Sequence, residues 1–576
     1  MGKTITKTGS IWLRRQAGIK IAALALSALT SQGIAPSNAM PPHPDLLARV
    51  ERGEIALPMP LAERQKLLLA GIDRPDAVRR FQVGAAAADS FHALAILVQY
   101  SDQAGSVDPA LFDTLLYETN RGSVRDYYLE ISYGQLDMVT VNLPSSTGWN
   151  SAPQTRAYYA NGEYGLGTLS YPRNARKLAE DALAAADPEV DFSRYDNDGD
   201  GWLDALMIIH TGPGAEFSGD VDDIWSHKWG VTPQLRDGVV ISSYAMMPEY
   251  WSSPGDITIG VFAHELGHVF GLPDLYDTDG SSKGIGRWSL MAVGSWNGSL
   301  GDSPAHVDAW CRMQLGFVTP VTPSSSALGT PIPRIEHTPI AYRLWDGGAP
   351  GVEYFLVENR QKVGFDAGLP ASGLLIWHID ENVSSDNRNE WYPGHTSSGH
   401  YLVALEQADN NFNLEKNQGS GDLSDPFPGS TQNRTFNSTT SPNSLAYSGA
   451  VSFVTVSNIS DSDSLMTADL TVSLVSGQND ELRPQAPGLA RNYPNPFNAG
   501  TRIEAQLTET GAVTLAIYDA LGRRVRVFVD AASAAGPFSH DWDGRDESGR
   551  PVSSGVYWYR LNGGGLTATG KMLMLK

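Results

Sequence analysis

Apolar residues recur along the chain with different spacings, and each spacing predicts a different kind of element. Residues 92–100 and 203–210 are apolar runs of strand length, and 136–143 and 239–247 also read as strands. Residues 123–133 and 175–186 carry apolar side chains three and four apart, as a helix with one buried face requires. This alternation over 86–320 predicts an α/β domain. The mostly apolar run 257–270 has helical length, with Asp256 available as its cap and Gly271 and Pro273 as its stop. The strand at 239–247 lies just before it and is expected to be an edge on which an extended peptide can pair. Past 320 the helical spacing disappears, and short runs separated by Gly, Pro, Ser and Asn predict a β-rich region over 321–475. A linker is expected at 476–485. Strand-length runs at 502–507, 513–518, 524–529, 538–542, 555–561 and 571–576 then predict an immunoglobulin-like β-sandwich over 486–576.

The run 257–270 also carries chemistry. It contains His264, Glu265 and His268 in the pattern H-E-x-x-H, followed by Gly271 and Asp274. Four residues apart on a helix, two histidines project from one face and reach one ion. Catalytic zinc takes three protein ligands and leaves a fourth position for water, whose pKa falls to about 7. Glu265, beside the first histidine, is the expected general base on that zinc-bound water. A buried structural helix with hydrogen-bonded histidines is the alternative, but it has no need of Glu265 beside them. No glutamate occurs between Glu265 and Glu336, so a glutamate from a nearby second helix is ruled out as third ligand. Asp274 is the leading candidate, ahead of Asp277, Asp279 and His306.

A second metal loop is expected at Asp196, Asp198, Asp200 and Asp204, where oxygen donors alternate and Gly201 holds the sixth position. That is the first half of a calcium loop. Position twelve is Met207 rather than Glu and no second helix follows, so it is not a regular EF-hand; Asp191 is a further possible ligand. Asp422 and Asp425 are candidates for another calcium ion. Glu358, Asn359, Arg360, Trp377, His378 and Asp409 form polar clusters for which buried structural pairing is the expected role.

Composition and the N-terminus narrow the setting. Lys3, Lys7, Arg14, Arg15 and Lys20, the apolar run 21–30 and the small residues ending at Ala39 read as a signal peptide over 1–39. Export follows, to the medium or the cell surface, with no transmembrane anchor once the signal is removed. A net charge of −22 argues against nucleic acid as a partner, because phosphate binding needs clustered cations. Cys311 is the only cysteine, so no intramolecular disulfide forms and no cysteine can block a zinc ion from an upstream segment. Residues 40–85 are expected to be a propeptide. If it closes the metal site, His43, Asp45 or a glutamate would do so, and Arg79 and Arg80 form a possible processing site.

The motifs together resemble a known family. Residues 123–134, the loop 196–204 leading into Ile208–Gly212, the run 224–229, the stretch 264–277, and the segments 354–360, 373–378 and 425–428 follow the order found in immune inhibitor A-like secreted metallopeptidases. The resemblance implies a zinc-dependent endopeptidase acting on proteins or peptides, a removable propeptide and a calcium-stabilised catalytic domain. It carries His264, His268 and Asp274 over as zinc ligands and Glu265 as general base. Met291, in a glycine-bearing apolar segment after the helix, resembles the Met-turn beneath the zinc of metzincin peptidases. The expected fold class is therefore multidomain: an α/β metzincin-like zinc peptidase domain, a β-rich region and a C-terminal immunoglobulin-like sandwich. That last domain opens with Asn492-Tyr493-Pro494-Asn495-Pro496-Phe497-Asn498 and resembles sorting domains of exported bacterial proteins, including those of type IX secretion, which implies bacterial export machinery as a partner. Two rival readings are a zinc amidase acting on a non-protein amide and a surface-binding or adhesive protein with a vestigial peptidase fold.

Overall fold

The computed structural model describes residues 40–63, 66–67, 70–73, 76–81, 90–278, 280–383, 387–395, 399–472, 490–493, 495, 497–498, 500–519 and 523–574. The signal segment 1–39, the linker 476–485 and Asp279 lie outside the described residues. The chain divides into two compact units, one ending at Val475 and the other beginning at Ser476.

The first unit is built on a five-stranded sheet in the order Trp149–Ser151, Leu94–Gln99, Leu206–Pro213, Val239–Tyr250, His227–Arg236. The first four strands are parallel and the last is antiparallel to its neighbour. The apolar runs 92–100 and 203–210 become its central strands, buried on both faces as their continuous hydrophobicity requires. Two expectations need correction. Only Met138–Val139 of 136–143 forms a strand, because Pro144 opens a short helix and leaves Val141 and Leu143 exposed. Val239–Tyr250 is not the edge. Asp237 and Gly238 both adopt positive φ (48° and 89°), the requirement of a two-residue hairpin turn, and fold His227–Arg236 back along its open side. The edge strand on this side is therefore His227–Arg236, and Trp149–Ser151 is the other edge.

Helix Ala175–Ala186 forms where its periodicity puts it, capped by the Asn174 side chain on the Lys177 N–H. Helix Val124–Ile131 starts with a capping box in which Ser123 and Asp126 each bond the other's backbone N–H. Helix Ile259–Val269, which carries the H-E-x-x-H pattern, is buried along its whole length. Asp256 does not cap it; Thr258 is the N-cap residue. Asp256 instead accepts the N–H groups of Trp251, Ser252 and Ser253, closing the turn that leads into the helix. The first turn of the helix is satisfied from outside, with Gly260 N–H donating to the Gly301 carbonyl at 3.0 Å. A side chain at Gly260 would meet the Ser295 carbonyl at 2.0 Å, so only glycine permits this approach.

The β-rich region shares this unit. It contains an antiparallel sheet ordered Val403–Leu405, Gly373–Asp380, Glu353–Arg360, Tyr342–Leu344 and a three-stranded sheet of Thr455–Ser457, Leu465–Thr471 and Ala327–Pro333. Trp377, Leu405 and Tyr354 join the same apolar core as the five-stranded sheet. Several of the polar residues here form buried pairs, while Asp409 accepts from Asn411 at an exposed turn. Arg360 is fully buried and makes paired bonds of 2.8 and 2.7 Å to Asp366, while the Trp377 indole donates to Glu358 at 2.8 Å. Asp425 accepts from the Trp288 indole and the Asp422 N–H.

One buried acid gives this region a testable pH dependence. Burial, with Glu406 and Asp425 nearby, pushes the Glu415 carboxyl from 4.5 up to about 8, against the hydrogen bond from Gln407. Between those values the folded chain holds a proton that the unfolded chain has lost. Its contribution therefore turns against the fold as pH rises past 4.5 and is fully adverse above 8. Glu415→Gln should melt several degrees above the wild type at pH 8.5 and level with it near pH 4.5, which thermal melts at the two pH values will read. Parallel melts at both would refute the assignment.

The second unit has two antiparallel sheets, ordered Ala490–Tyr493, Thr501–Leu507, Gly536–Trp542 and Arg524–Ser533, Gly511–Asp519, Gly555–Gly563, Leu566–Met574. Alternate inward side chains, among them Ile503, Leu515, Ile517, Trp542, Tyr559 and Met572, form its core. Among the described residues no helix is long and apolar enough to cross a membrane.

Candidate metal centre

Three side chains converge at the end of helix Ile259–Val269. His264 and His268 project from one face, and the chain then leaves the helix through Gly271 at φ 97°. Gly271 N–H bonds the His268 carbonyl and Leu272 N–H bonds the Gly267 carbonyl, so the backbone doubles back and delivers Asp274 beneath the histidines. Asp274 Oδ1 lies 3.3 Å from His264 Nε2 and 3.2 Å from His268 Nε2.

These residues fit a bound metal. His264 Nδ1 donates to the Leu290 carbonyl and His268 Nδ1 to the Leu272 carbonyl, both at 2.9 Å. A carbonyl can only accept, so each ring carries its proton on Nδ1 and turns the Nε2 lone pair inward. Both Nε2 atoms are buried and have no hydrogen-bond partner. A tetrahedral ion about 2.1 Å from each ligand would hold two ligand atoms about 3.4 Å apart, close to the separations seen. Burial pushes the His268 imidazole down, but the Asp274 carboxylate, with Asp73 and the Leu272 carbonyl, reverses this and raises it above the usual histidine value.

Glu265 is fully buried and lies on the His268 side of this cluster. One of its carboxylate oxygens, an oxygen of Asp73 and a ring nitrogen of His268 all lie within 4.8 Å of one another. Met291 is also fully buried and sits against the helix, its sulfur 2.5 Å from where a Gly267 side chain would begin. Its carbonyl accepts the Leu275 N–H at 2.7 Å, which ties down the loop that presents Asp274. The ring of Tyr276 lies 6.4 Å from that of His264.

Among the described residues, the other candidates for third ligand have partners of their own. Asp277 accepts the hydroxyls of Ser281 and Ser282. His306 Nε2 donates to Glu130 at 2.7 Å, and its Nδ1 accepts from Arg312.

In the acidic loop, Asp196, Asp198 and Asp204 come within 4.8 Å of one another, but Asp200 does not join them. Asp200 instead accepts the Trp202 N–H, and Asp191 accepts the Ser193 N–H at the start of a short helical turn. Asp196 accepts the N–H groups of Gly199, Asp200 and Gly201, which shapes the loop. The guanidinium of Arg79 pairs with Asp204 and lies 3.6 Å from Asp198. A cation from the N-terminal segment thus meets two of the expected calcium ligands.

His43 and Asp45 stay away from the histidine cluster. His43 packs its ring against Phe217 and Trp296 and accepts the Asp45 N–H. The residue of the N-terminal segment that reaches the cluster is Asp73, which composition alone did not single out. The one hint was Asp73 and Asp76 bracketing Arg74 and Pro75 in a segment otherwise rich in Leu, Pro and Ala.

Two stretches of the chain match known families. Residues 111–317 match the family described as immune inhibitor A peptidase M6, catalytic domain, and residues 494–564 match the FlgD Ig-like domain. The chain is 37% identical over 209 residues to Immune inhibitor A of Bacillus thuringiensis subsp. alesti, covering 31% of this chain and 29% of that protein. It is 34% identical over 222 residues to the Pre-pro-metalloprotease PrtV of Vibrio cholerae serotype O1, covering 34% of this chain and 23% of the relative. The chain thus spans less than a third of the length of either relative. Among solved structures, FlgD of P. aeruginosa is 26% identical over 13% of this chain and 57% of its own, with a TM-score of 0.11. Residues 111–317 are therefore similar to the catalytic domain of immune inhibitor A peptidase M6, and residues 494–564 to the FlgD Ig-like domain.

Proposed function

We propose that this chain is a secreted zinc-dependent endopeptidase that hydrolyses peptide bonds in proteins. The observation that carries the proposal is the convergence of two buried, partnerless imidazole nitrogens and one Asp274 oxygen, with Glu265 beside them. His264, His268 and Asp274 would hold the ion. When bound, zinc supplies the Lewis acidity that lowers the pKa of water and polarises a carbonyl. Glu265 takes the proton from the attacking water and returns it to the amine that leaves. The edge strand His227–Arg236 offers backbone groups to an extended substrate. Met291 under the helix supports a metzincin-like arrangement of the domain. A relative named Pre-pro-metalloprotease supports both proteolysis and removal of a leading segment, here 40–85. Calcium in the loop of Asp196, Asp198 and Asp204 is part of the same reading. So is a role of the Ig-like domain in passage to the cell surface.

The test is digestion of casein and of peptidoglycan by the matured chain, with and without a chelator. Casein should be cut at internal bonds, cutting should stop on chelation, and equimolar zinc should restore it. Release of peptidoglycan amides with intact casein would instead establish the amidase reading. Surface binding with neither activity would establish the adhesive one.

A further inference from the structure

The β-rich region encloses a cavity of about 250 Å³ to which the zinc peptidase reading gives no role. Its wall is drawn from His378 in strand Gly373–Asp380, from residues 391–415 and from the turn 441–449. Trp391, Tyr401, Phe412 and Tyr447 bring aromatic rings to it, and Glu406 and Glu415 bring carboxylates. Among the described residues no lysine or arginine lines it.

The wall is built from side chains that fix one another. The Tyr447 ring stacks between two imidazoles, 4.0 Å from His378 and 3.7 Å from His400. His378 is held by Glu353 at 3.1 Å and Glu406 at 3.2 Å, and His400 by Asp380 at 2.9 Å. The Tyr447 N–H donates to Glu353 at 2.7 Å. Gln407 donates to Glu415 at 2.6 Å and accepts the Asn413 N–H, which sets the Glu415 carboxylate in place. The charges here do not balance. Glu353, Glu406, Asp380 and Glu415 are four acids, and His378 and His400 supply two positive charges even when both are protonated. The Lys416 ammonium does not line the cavity; it donates to the Asn411 carbonyl at 2.7 Å and lies 5.7 Å from the centre of the Phe412 ring. A ring of this wall thus already accepts an ammonium group.

We propose that this cavity binds an organic ammonium ion, with the aromatic rings around its alkyl groups and Glu406 and Glu415 as its counter-charges. The site stands apart from the metal centre and does not depend on the zinc peptidase reading. Aromatic rings attract a cation through their quadrupole, and an alkylated one also buries apolar surface against them. A bare metal ion needs several donor atoms at one point, and among the described residues Glu406 and Glu415 belong to no such group. Glu415 is buried, and with Glu406 and Asp425 nearby it keeps its proton up to about pH 8. A cation seated beside it would release that proton. Raising the pH ionises Glu415 and Asp425, while His378 and His400 can only lose charge, and Tyr401 and Tyr447, whose hydroxyls burial pushes up, stay neutral. Every one of these changes makes the cavity more negative. A permanently charged ligand therefore binds more tightly at pH 8.5 than at pH 6.

Titration calorimetry on the full chain at pH 8.5 tests this with three probes. They are choline, butylammonium as the end of a lysine side chain, and the uncharged alcohol in which carbon replaces the nitrogen of choline. At least one ammonium ion should bind, about tenfold or more tightly than the alcohol. Choline alone would identify a quaternary ligand, and butylammonium alone a lysine side chain. Glu415→Gln should weaken the bound ammonium by about tenfold or more, because it removes a buried counter-charge and keeps the shape. Trp391→Leu removes a half-exposed ring that the fold can spare and should weaken it by about threefold. Thermal melts of both variants confirm that they are folded. Binding of neither ammonium ion, equal binding of choline and the alcohol, or an affinity that neither substitution changes would overturn the proposal.

Discussion

Glutamine at position 265 should leave a folded, zinc-loaded protein that cleaves protein about 10²–10⁴-fold more slowly than the wild type, the range a positioned general base contributes. The substitution is nearly isosteric, and Glu265 sits fully buried in helix Ile259–Val269, so its volume has to be kept. It is not one of the three converging ligand atoms, which belong to His264, His268 and Asp274. Metal content should therefore hold at one zinc per chain while turnover falls. Elemental analysis and kcat/KM on the matured protein separate the two. Activity within threefold of wild type would remove Glu265 from the chemistry; loss of zinc together with activity would make it a ligand rather than a base.

Asp274→Ala is expected to act the other way round, emptying the centre. It removes the only anion among the three ligands and leaves two neutral imidazoles to hold a dication. Zinc affinity should fall by more than the roughly 10–100-fold that loss of an outer-shell partner costs, and activity with it. Helix Ile259–Val269 should survive, because its C-terminal turn is closed by the Gly271 and Leu272 backbone, not by the Asp274 side chain. Asp277→Asn is the informative comparison. Asp277 is spent on Ser281 and Ser282, so its replacement should spare the zinc. Equilibrium dialysis with zinc reads both variants. A chain that keeps its zinc without the Asp274 carboxylate but loses it without that of Asp277 would exchange their roles.

Much of this centre is local and was readable residue by residue. Four-residue spacing on a helix places His264 and His268 together whatever surrounds them, and Gly271 turns the chain because few other residues accept φ 97°. The burial of strand Leu206–Pro213 and the length of helix Ala175–Ala186 followed from apolar spacing alone. The cap of the motif helix did not, because the Gly260 N–H is met by the carbonyl of Gly301, about forty residues downstream. The edge strand was missed for a different reason. His227–Arg236 mixes apolar, polar and charged residues, as an edge does, and the Asp237-Gly238 pair that folds it back is a hairpin signal in the sequence.

The acidic loop shows how nearby chemistry alters a local reading. Alternating oxygen donors gave Asp196, Asp198, Asp200 and Asp204 equal standing as ligands. The folded loop brings three of them together and sets the Arg79 guanidinium against two. A charge more than a hundred residues away enters no local pattern.

Spacing and composition by themselves determined the helix Ile259–Val269, its histidines, the glutamate between them, the β-sandwich at the C-terminus and the absence of intramolecular disulfides. Each depends on backbone geometry within a few turns or on a simple count. Tertiary structure alone decided which strand folds back beside Val239–Tyr250 and which residue of the N-terminal segment reaches the centre. Those outcomes depend on distances between residues far apart in the chain, such as Asp73 and His268, and these are fixed only when the core closes around them.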